Sequence, residues 1–439
     1  MRFPKLPPKL QIEKLKVGKI MNHISPTLPD GRYLHWHDLR WRPPPEGLTR
    51  EEWWFAKKIG RVSARVAIPQ FLDEGGMPFS FCRLDVIDRA THELDRNDSR
   101  REMLAMMGDS VARQEYRIDQ LIEEAISSSV LEGAKLTTRA AAKAMIRDGR
   151  APSELGERMV LNNYNAMRRL LAIGDRDLTV DDLLEIHGVL GEDALEVPDC
   201  AARFRRSDEE VRVEDATTGE VWFVPPPADQ IPRRFAALLA FANERDSKAF
   251  LHPLVRAIVL HFWLAYLHPF VDGNGRMARA LFYWQMLRGG YDFAQYLSIS
   301  GPIDRSRRTY YLSFAYTETD DGDLTYFILH QLQVLRKATE NLRKHLRERF
   351  ERMRELGTAV SGTESLNHRQ QAALLYSIRN PHVGLTVRGH AKSHGVAYLT
   401  ARSDLKDLET RGFLRHVRAG REHRFFQNQL ANKLARSGA

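Results

Sequence analysis

A chain of 439 residues is two to three times the length of a common single domain, and its 43% hydrophobic and 28% charged residues exclude a collagenous, low-complexity or wholly disordered protein. The net charge of +9 is concentrated: between Ser361 and Ala439, thirteen Lys or Arg face five Asp or Glu, an excess that suits either a polyanion such as DNA or simply a basic, soluble surface. The two cysteines, Cys82 and Cys200, are too few for a disulfide framework and in no zinc-binding spacing, which points to a reducing, cytoplasmic setting.

In chain order, residues 1–30 read as a flexible Pro-rich arm without the apolar segment of a secretory signal. Residues 31–115 read as mostly helical, with Thr49 as an N-cap followed by Glu51 and Glu52. His35 and His37 lack further ligands nearby and are assigned a structural role. Residues 116–335 form one helical core, marked by Leu121, Ile122, Ala125 and Ile126, by Arg158–Leu171, and by Asp181 and Asp182 after Thr179. Within it, Val211 and Val213, a Thr218-Gly219 turn, and Val221 and Phe223 predict a β-hairpin. Leu254–Leu267 is the most apolar run, but Arg256 and His261 interrupt it and it falls short of the roughly 20 residues that span a bilayer, so no membrane partner is expected.

A charged connector helix is expected over 336–360, a winged helix-turn-helix over 361–428 and a tail over 429–439. Helices are predicted at Gln370–Ile378, Val387–His394 and Thr400–Thr410, and a hairpin at Phe413–Val417 and His423–Phe426 around Ala419-Gly420. Such a module offers Arg402 and Lys406 to a DNA groove and Arg418 and Arg421 to phosphates, or else serves as a protein-interaction module of the same shape. The fold class is therefore mainly α with a small hairpin and an appended winged-helix domain.

The segment His268-Pro269-Phe270-Val271-Asp272-Gly273-Asn274-Gly275-Arg276-Met277-Ala278-Arg279 carries the chemistry. Pro269 ends the apolar helix and holds His268 at its tip. Gly273 and Gly275 let backbone N–H groups approach an anion, and a helix beginning near Arg276 aims its positive end there. Arg276 and Arg279, three residues apart, can fork onto phosphate oxygens, and Asp272 offers a hard oxygen to Mg²⁺. His268 can act as a general base. Together these residues describe phosphoryl or nucleotidyl transfer to a hydroxyl. The dinucleotide fingerprint Gly273-x-Gly275-x-x-Ala278, with Asp292 downstream, is refused because no strand precedes it.

The segment resembles the signature of the Fic (Fido) family, His-x-Phe-x-Asp/Glu-Gly-Asn-Gly-Arg-x-x-Arg, at every fixed position. The resemblance implies a helical core from about Tyr116 to His330 that binds Mg-ATP and moves AMP to a Ser, Thr or Tyr hydroxyl of a protein. By that resemblance His268 is the base and Asp272 binds Mg²⁺. Asn274 with the Gly273 and Gly275 amides holds the α and β phosphates, and Arg276 and Arg279 neutralise the departing pyrophosphate. Ser128-Ser129-Val130-Leu131-Glu132-Gly133 is similar to the family's inhibitory motif, with Ser128 and Glu132 as its fixed residues and Glu132 within reach of Arg279. The hairpin of Val211, Val213, Val221 and Phe223 resembles the flap that docks a target by strand addition. Tyr310 and Tyr311 are similar to the paired tyrosines near the nucleotide, although two tyrosines on a helix also suit core packing. The chain departs from the family at Glu318-Thr319-Asp320-Asp321-Gly322-Asp323, where an Asn often precedes the acidic Gly pair, and this leaves the nucleobase open. Two other readings remain: removal of AMP by the same site with a water oriented by Glu132, and a DNA-binding regulator with a nucleotide-sensing core. A homodimer is also left open.

Overall fold

The protein is seen in a computed structural model that describes residues 3–9, 17–96, 106, 110–195, 197–214, 218–244, 250–361, 366–379, 384–419 and 422–428. The chain divides into two units, Met1–Leu342 and Arg343–Ala439. Among the described residues no helix is long and apolar enough to cross a membrane.

The first unit opens with a segment that is packed rather than free. Phe3 meets Trp222 edge-on at 5.8 Å, and the Lys5 amide donates to His37 Nδ1 at 2.8 Å. Ile20 is fully buried in a cluster with Trp36, Trp53 and Trp54. Phe3 and Ile20 thus find partners, which the expectation of a flexible arm overlooked. Helix α1 (Arg50–Ala64) starts from a Thr49–Glu52 capping box, as the sequence predicts. An antiparallel hairpin, β1 (Arg65–Leu72) and β2 (Pro78–Cys82), follows where the sequence reading expected helix. Its signal was Val66 and Ile68 at alternate positions after Arg65, and then Gly75-Gly76. His35 is structural: it stacks on Tyr316 with centroids 4.4 Å apart, and burial lowers its pKa to about 3.

The core is built from α2 (Asp85–Asp95), α3 (Ser110–Leu131), α4 (Arg139–Asp148), α5 (Leu155–Ala172), α6 (Val180–Gly191), the hairpin β3 (Val213–Glu214) and β4 (Val221–Phe223), α7 (Ile231–Asn243), α8 (Pro253–Leu267), α9 (Asn274–Arg288), α10 (Ser300–Arg305), α11 (Arg307–Thr319) and α12 (Thr325–Ser361). Its centre is the pair α8 and α9, both buried nearly all round: α8 is almost wholly apolar, while α9 mixes Leu281, Phe282 and Trp284 with the buried Asn274, Arg276 and Arg279. Helix α12 is continuous from Thr325, so the expected connector is not a separate element; its residues to Leu342 belong to this unit and the rest to the second.

The second unit comprises α13 (His368–Arg379), β5 (Leu385–Thr386), α14 (Val387–His394), α15 (Tyr398–Thr410), β6 (Leu414–Ala419) and β7 (Glu422–Gln427), with the strands in the order β5-β7-β6. Leu374, Leu405, Leu408, Leu414 and Phe425 form its core. Gly395 ends α14 in the left-handed conformation with φ 62°, while α15 starts at Tyr398, earlier than Thr400. Arg402, Lys406 and Arg418 are exposed; Arg421, Gly420 and the tail 429–439 lie outside the described residues.

Candidate active site

Helix α8 stops at His268, which takes φ 49° and ψ 56°, a left-handed cap uncommon for a residue with a side chain. Pro269 cannot continue the helix, and Arg205 holds the turn: its Nε donates to the His268 carbonyl at 2.8 Å and its Nη2 to the Pro226 carbonyl. The Arg205 amide donates to the Pro269 carbonyl at 2.9 Å. His268 Nδ1 lies 3.0 Å from the Ala265 carbonyl, and since a carbonyl only accepts, Nδ1 carries the proton. The Nε2 lone pair is therefore the free one, and burial holds the imidazole below its ordinary pKa, so it stays neutral and basic. Replacing Arg205 by Ala strands the His268 and Pro226 carbonyls and is expected to destabilise the protein by about 1–3 kcal/mol, read as a lower thermal midpoint. Lys at the same position recovers part of the loss, because an ammonium lacks the guanidinium fork.

The loop from Phe270 to Asn274 is fixed from within. Asn274 Oδ1 accepts from the Phe270 amide at 3.0 Å and its Nδ2 donates to the Phe270 carbonyl at 2.9 Å. The Asn274 side chain thus braces the turn, and its Nδ2 keeps a second N–H beyond the one given to Phe270. His187 supports the other side: it stacks on Phe270 at 3.8 Å, donates from Nε2 to the Asp272 carbonyl at 3.0 Å, and accepts at Nδ1 from the Ala202 amide at 3.2 Å. Burial lowers its pKa to about 4, which keeps this donor–acceptor pattern constant.

Gly273 caps α9 with φ 83°, and the first backbone bond of the helix runs from Met277 to Gly273 at 3.0 Å. The amides of Asn274, Gly275 and Arg276 therefore point out of the positive end of a 15-residue helix. The Gly273 amide is not among them, because it donates to Asp272 Oδ1 at 2.5 Å. Asp272 Oδ2 accepts from Arg276 Nη2 at 3.1 Å. Arg276 and Arg279 are each 1% exposed. Arg276 Nε and Nη1 and Arg279 Nη1 are buried N–H groups with no partner among the described residues. An unpaired buried guanidinium donor is costly, and three within the first two turns of α9 suit an anion.

Glu132 occupies the approach to that place. Arg279 Nη2 donates to its carboxylate at 2.8 Å, while Nε and Nη2 donate to the Ser128 hydroxyl and carbonyl at 2.9 and 3.0 Å. A Cβ added to Gly275 would stand 2.2 Å from Glu132 Oε1, so the carboxylate covers the first turn of α9 and would have to shift to admit any other residue there.

The remaining expected residues divide. Val213 pairs with Phe223 and Glu214 with Val221 in the hairpin, whereas Val211 lies outside its strand. Phe223 packs on Tyr266 with centroids 5.1 Å apart, and Val221 is exposed. Tyr310 is a core residue whose hydroxyl meets His261 Nε2 at 3.0 Å. Tyr311 is only partly buried and lies in the field of Glu132 and Arg279. Among the described residues no cluster of three or more His, Cys, Asp or Glu could hold a metal alone, so Asp272 fits a cation only if other oxygens come with it. A cavity of about 1,100 Å³ lies elsewhere, lined by Tyr33, His35, Arg308, Tyr316 and Tyr326.

Residues 177–286 match the family model described as Fic/DOC family. A protein adenylyltransferase Fic of Nematostella vectensis is 29% identical over 205 residues, 45% of this chain and 45% of that protein. A protein adenylyltransferase Fic of Drosophila melanogaster is 26% identical over 298 residues, 64% of this chain and 56% of that protein. The chain spans about half the length of the curated relatives it matches. Among solved structures, Fic-1 (aa134 - 508) from C. elegans aligns with a TM-score of 0.50 and 19% identity over 71% of this chain and 81% of that chain, a likeness of fold.

Proposed function

Because the chain carries a Fic/DOC domain, we propose that it transfers AMP from Mg-ATP to a Ser, Thr or Tyr hydroxyl of a protein, itself included, and that Glu132 restrains the reaction. The observation that carries this reading is the set of buried, unpartnered N–H groups of Arg276 and Arg279 beside the open end of α9. His268 Nε2 takes the proton of the incoming hydroxyl, whose oxygen attacks the α-phosphorus; the bond to the β-phosphate bridging oxygen breaks and pyrophosphate leaves. Arg276, Arg279 and the amides of Asn274 and Gly275 stabilise the charge that develops on the phosphate oxygens. Asp272, with substrate oxygens and water, would hold Mg²⁺, which supplies further neutralisation of the phosphates. Val221 and Phe223 on the hairpin give an extended target segment a short edge to pair with. Exposing full-length Glu132→Gly to ATP, CTP, GTP and UTP in turn and measuring intact mass tests the reading. A gain of one nucleoside monophosphate supports it; no gain with any of the four contradicts it.

Two alternatives rest on particular observations. The Glu132 carboxylate is 26% exposed beside Arg279, a position from which it could orient a water that removes AMP from a modified protein. Loss of label from a pre-labelled target, abolished by Glu132→Gln, would favour this reaction. The exposed Arg402, Lys406 and Arg418 of the second unit favour DNA as a partner of that unit, read as a winged helix. In that case affinity for duplex DNA falls roughly a hundredfold between about 50 and 200 mM salt, as expected for about four phosphate contacts. Affinity that does not respond to salt would point to a protein partner instead.

A further inference from the structure

Three helix faces enclose a cavity of about 320 Å³ beside the two helices that the Glu132–Arg279 bond joins. Leu121 and Glu124 face it from α3, Met167 and Leu171 from α5, and Tyr283 and Leu287 from α9, each pair three or four residues apart as one helix face requires. Glu132 lies just past the end of α3, about two turns beyond Glu124, and Arg279 precedes Tyr283 by about one turn of α9. The buried polar groups of the cavity are already satisfied. Glu124, 1% exposed, accepts from the Ser298 hydroxyl and the Ser300 amide, both at 2.9 Å, and from the Ser300 hydroxyl. The Tyr283 hydroxyl donates to the Leu297 carbonyl at 3.2 Å. The rest of the lining is mostly aliphatic, with Ile118 and Leu297 beside Met167 and the leucines. Its two cations, Arg117 and Arg168, are exposed and so stand at the solvent edge. Arg117 Nη1 donates to Gln295 Oε1 at 3.3 Å, and the Arg168 guanidinium lies 5.6 Å from the centre of the Tyr164 ring. Among the described residues neither has a carboxylate partner.

Resting on the proposed autoinhibited transfer, we propose that this cavity binds an amphipathic carboxylate, an aliphatic chain of medium length whose head meets Arg117 and Arg168, and that its binding strengthens the hold of Glu132 on Arg279. An aliphatic lining whose buried polar groups are already paired favours burial of a chain and offers nothing to a polar body, whereas guanidinium groups without an acid partner fork onto a carboxylate. The volume lies at the lower end of small-ligand cavities, about 300–1,000 Å³, which sets the medium chain length. The sign of the coupling follows from the walls. The cavity belongs to the arrangement that docks α3 on α9, the same arrangement in which Arg279 holds Glu132. A ligand that contacts both helices therefore favours it over one in which α3 has moved. Productive binding of Mg-ATP requires Glu132 to give way, so by linkage the nucleotide and the carboxylate weaken each other by the same factor.

The test is calorimetric titration with octanoate of full-length protein carrying His268→Ala, which keeps Glu132 and stops turnover. Octanoate is expected to bind about tenfold or more tightly than octanol, which lacks the charged head, or acetate, which lacks the chain. Arg117→Gln together with Arg168→Gln, both at exposed positions outside the catalytic loop, should remove the advantage over octanol. Saturating octanoate should weaken Mg-ATP binding about three- to tenfold in this protein and leave it unchanged once Glu132→Gly is added. Octanol bound as tightly as octanoate, or octanoate binding that survives both arginine substitutions undiminished, would overturn the carboxylate site. Octanoate binding with no effect on Mg-ATP affinity while Glu132 is present would overturn the coupling. Octanoate binding to a protein that takes no Mg-ATP even with Glu132→Gly would overturn the transfer reading and the coupling, and support the carboxylate site alone.

Discussion

Glu132→Gly is expected to raise self-labelling with ATP by roughly ten- to a hundredfold. The Glu132 carboxylate takes a hydrogen bond from a guanidinium that is otherwise buried, and a charge-assisted bond of this kind is worth about 1.5–3 kcal/mol. That is the affinity the triphosphate must overcome while the carboxylate stays in place. The same substitution leaves another Arg279 donor unpaired in the free protein, so its thermal midpoint should fall and be restored by Mg-ATP. Glu132→Gln, which keeps the shape but not the charge, should fall between the two. Labelling by scintillation counting and melting with and without Mg-ATP check both parts. Unchanged labelling in Glu132→Gly would remove the carboxylate from the account.

The second large effect belongs to His268. His268→Ala, made in the Glu132→Gly background, should lower transfer by about 10²–10⁴-fold, the usual contribution of a general base, and leave ATP affinity within a few-fold. The pH dependence follows from the free Nε2. The base works only when unprotonated, and burial places its pKa below the ordinary 6.5. Activity should therefore be level through neutral pH and fall only below that value, along a limb that disappears with the imidazole. A profile that falls at higher pH would assign the limb to another group.

Much of the site was legible because it is consecutive in the chain: His268, Asp272, Gly275, Arg276 and Arg279 belong to one turn and one helix, and their spacing alone brings them together. Glu132 was legible from a helix-end motif. What supports them was not. Arg205 and His187 reach the loop from 63 and 85 residues away, and no local pattern distinguishes a buried arginine that caps carbonyls from a solvated one. Asn274 was given a phosphate role by the family resemblance; the fold adds that its amide also braces the turn through Phe270, which no local pattern announces. Tyr310 and Tyr311 show the opposite case: neighbours on one helix point in different directions, and only one of them is completely buried in the core. The helical class was readable from long apolar periods, whereas β1 and β2 were short enough to be absorbed into the helices around them.

The account stands on the unpartnered guanidinium and amide N–H groups being a seat for a triphosphate. Calorimetric titration of Glu132→Gly with Mg-ATP and, separately, with adenosine measures this directly. The prediction is that Mg-ATP binds and adenosine binds at least a hundredfold more weakly, since the phosphates supply most of the contacts. Equal affinity for the two, or no binding of Mg-ATP, would contradict it.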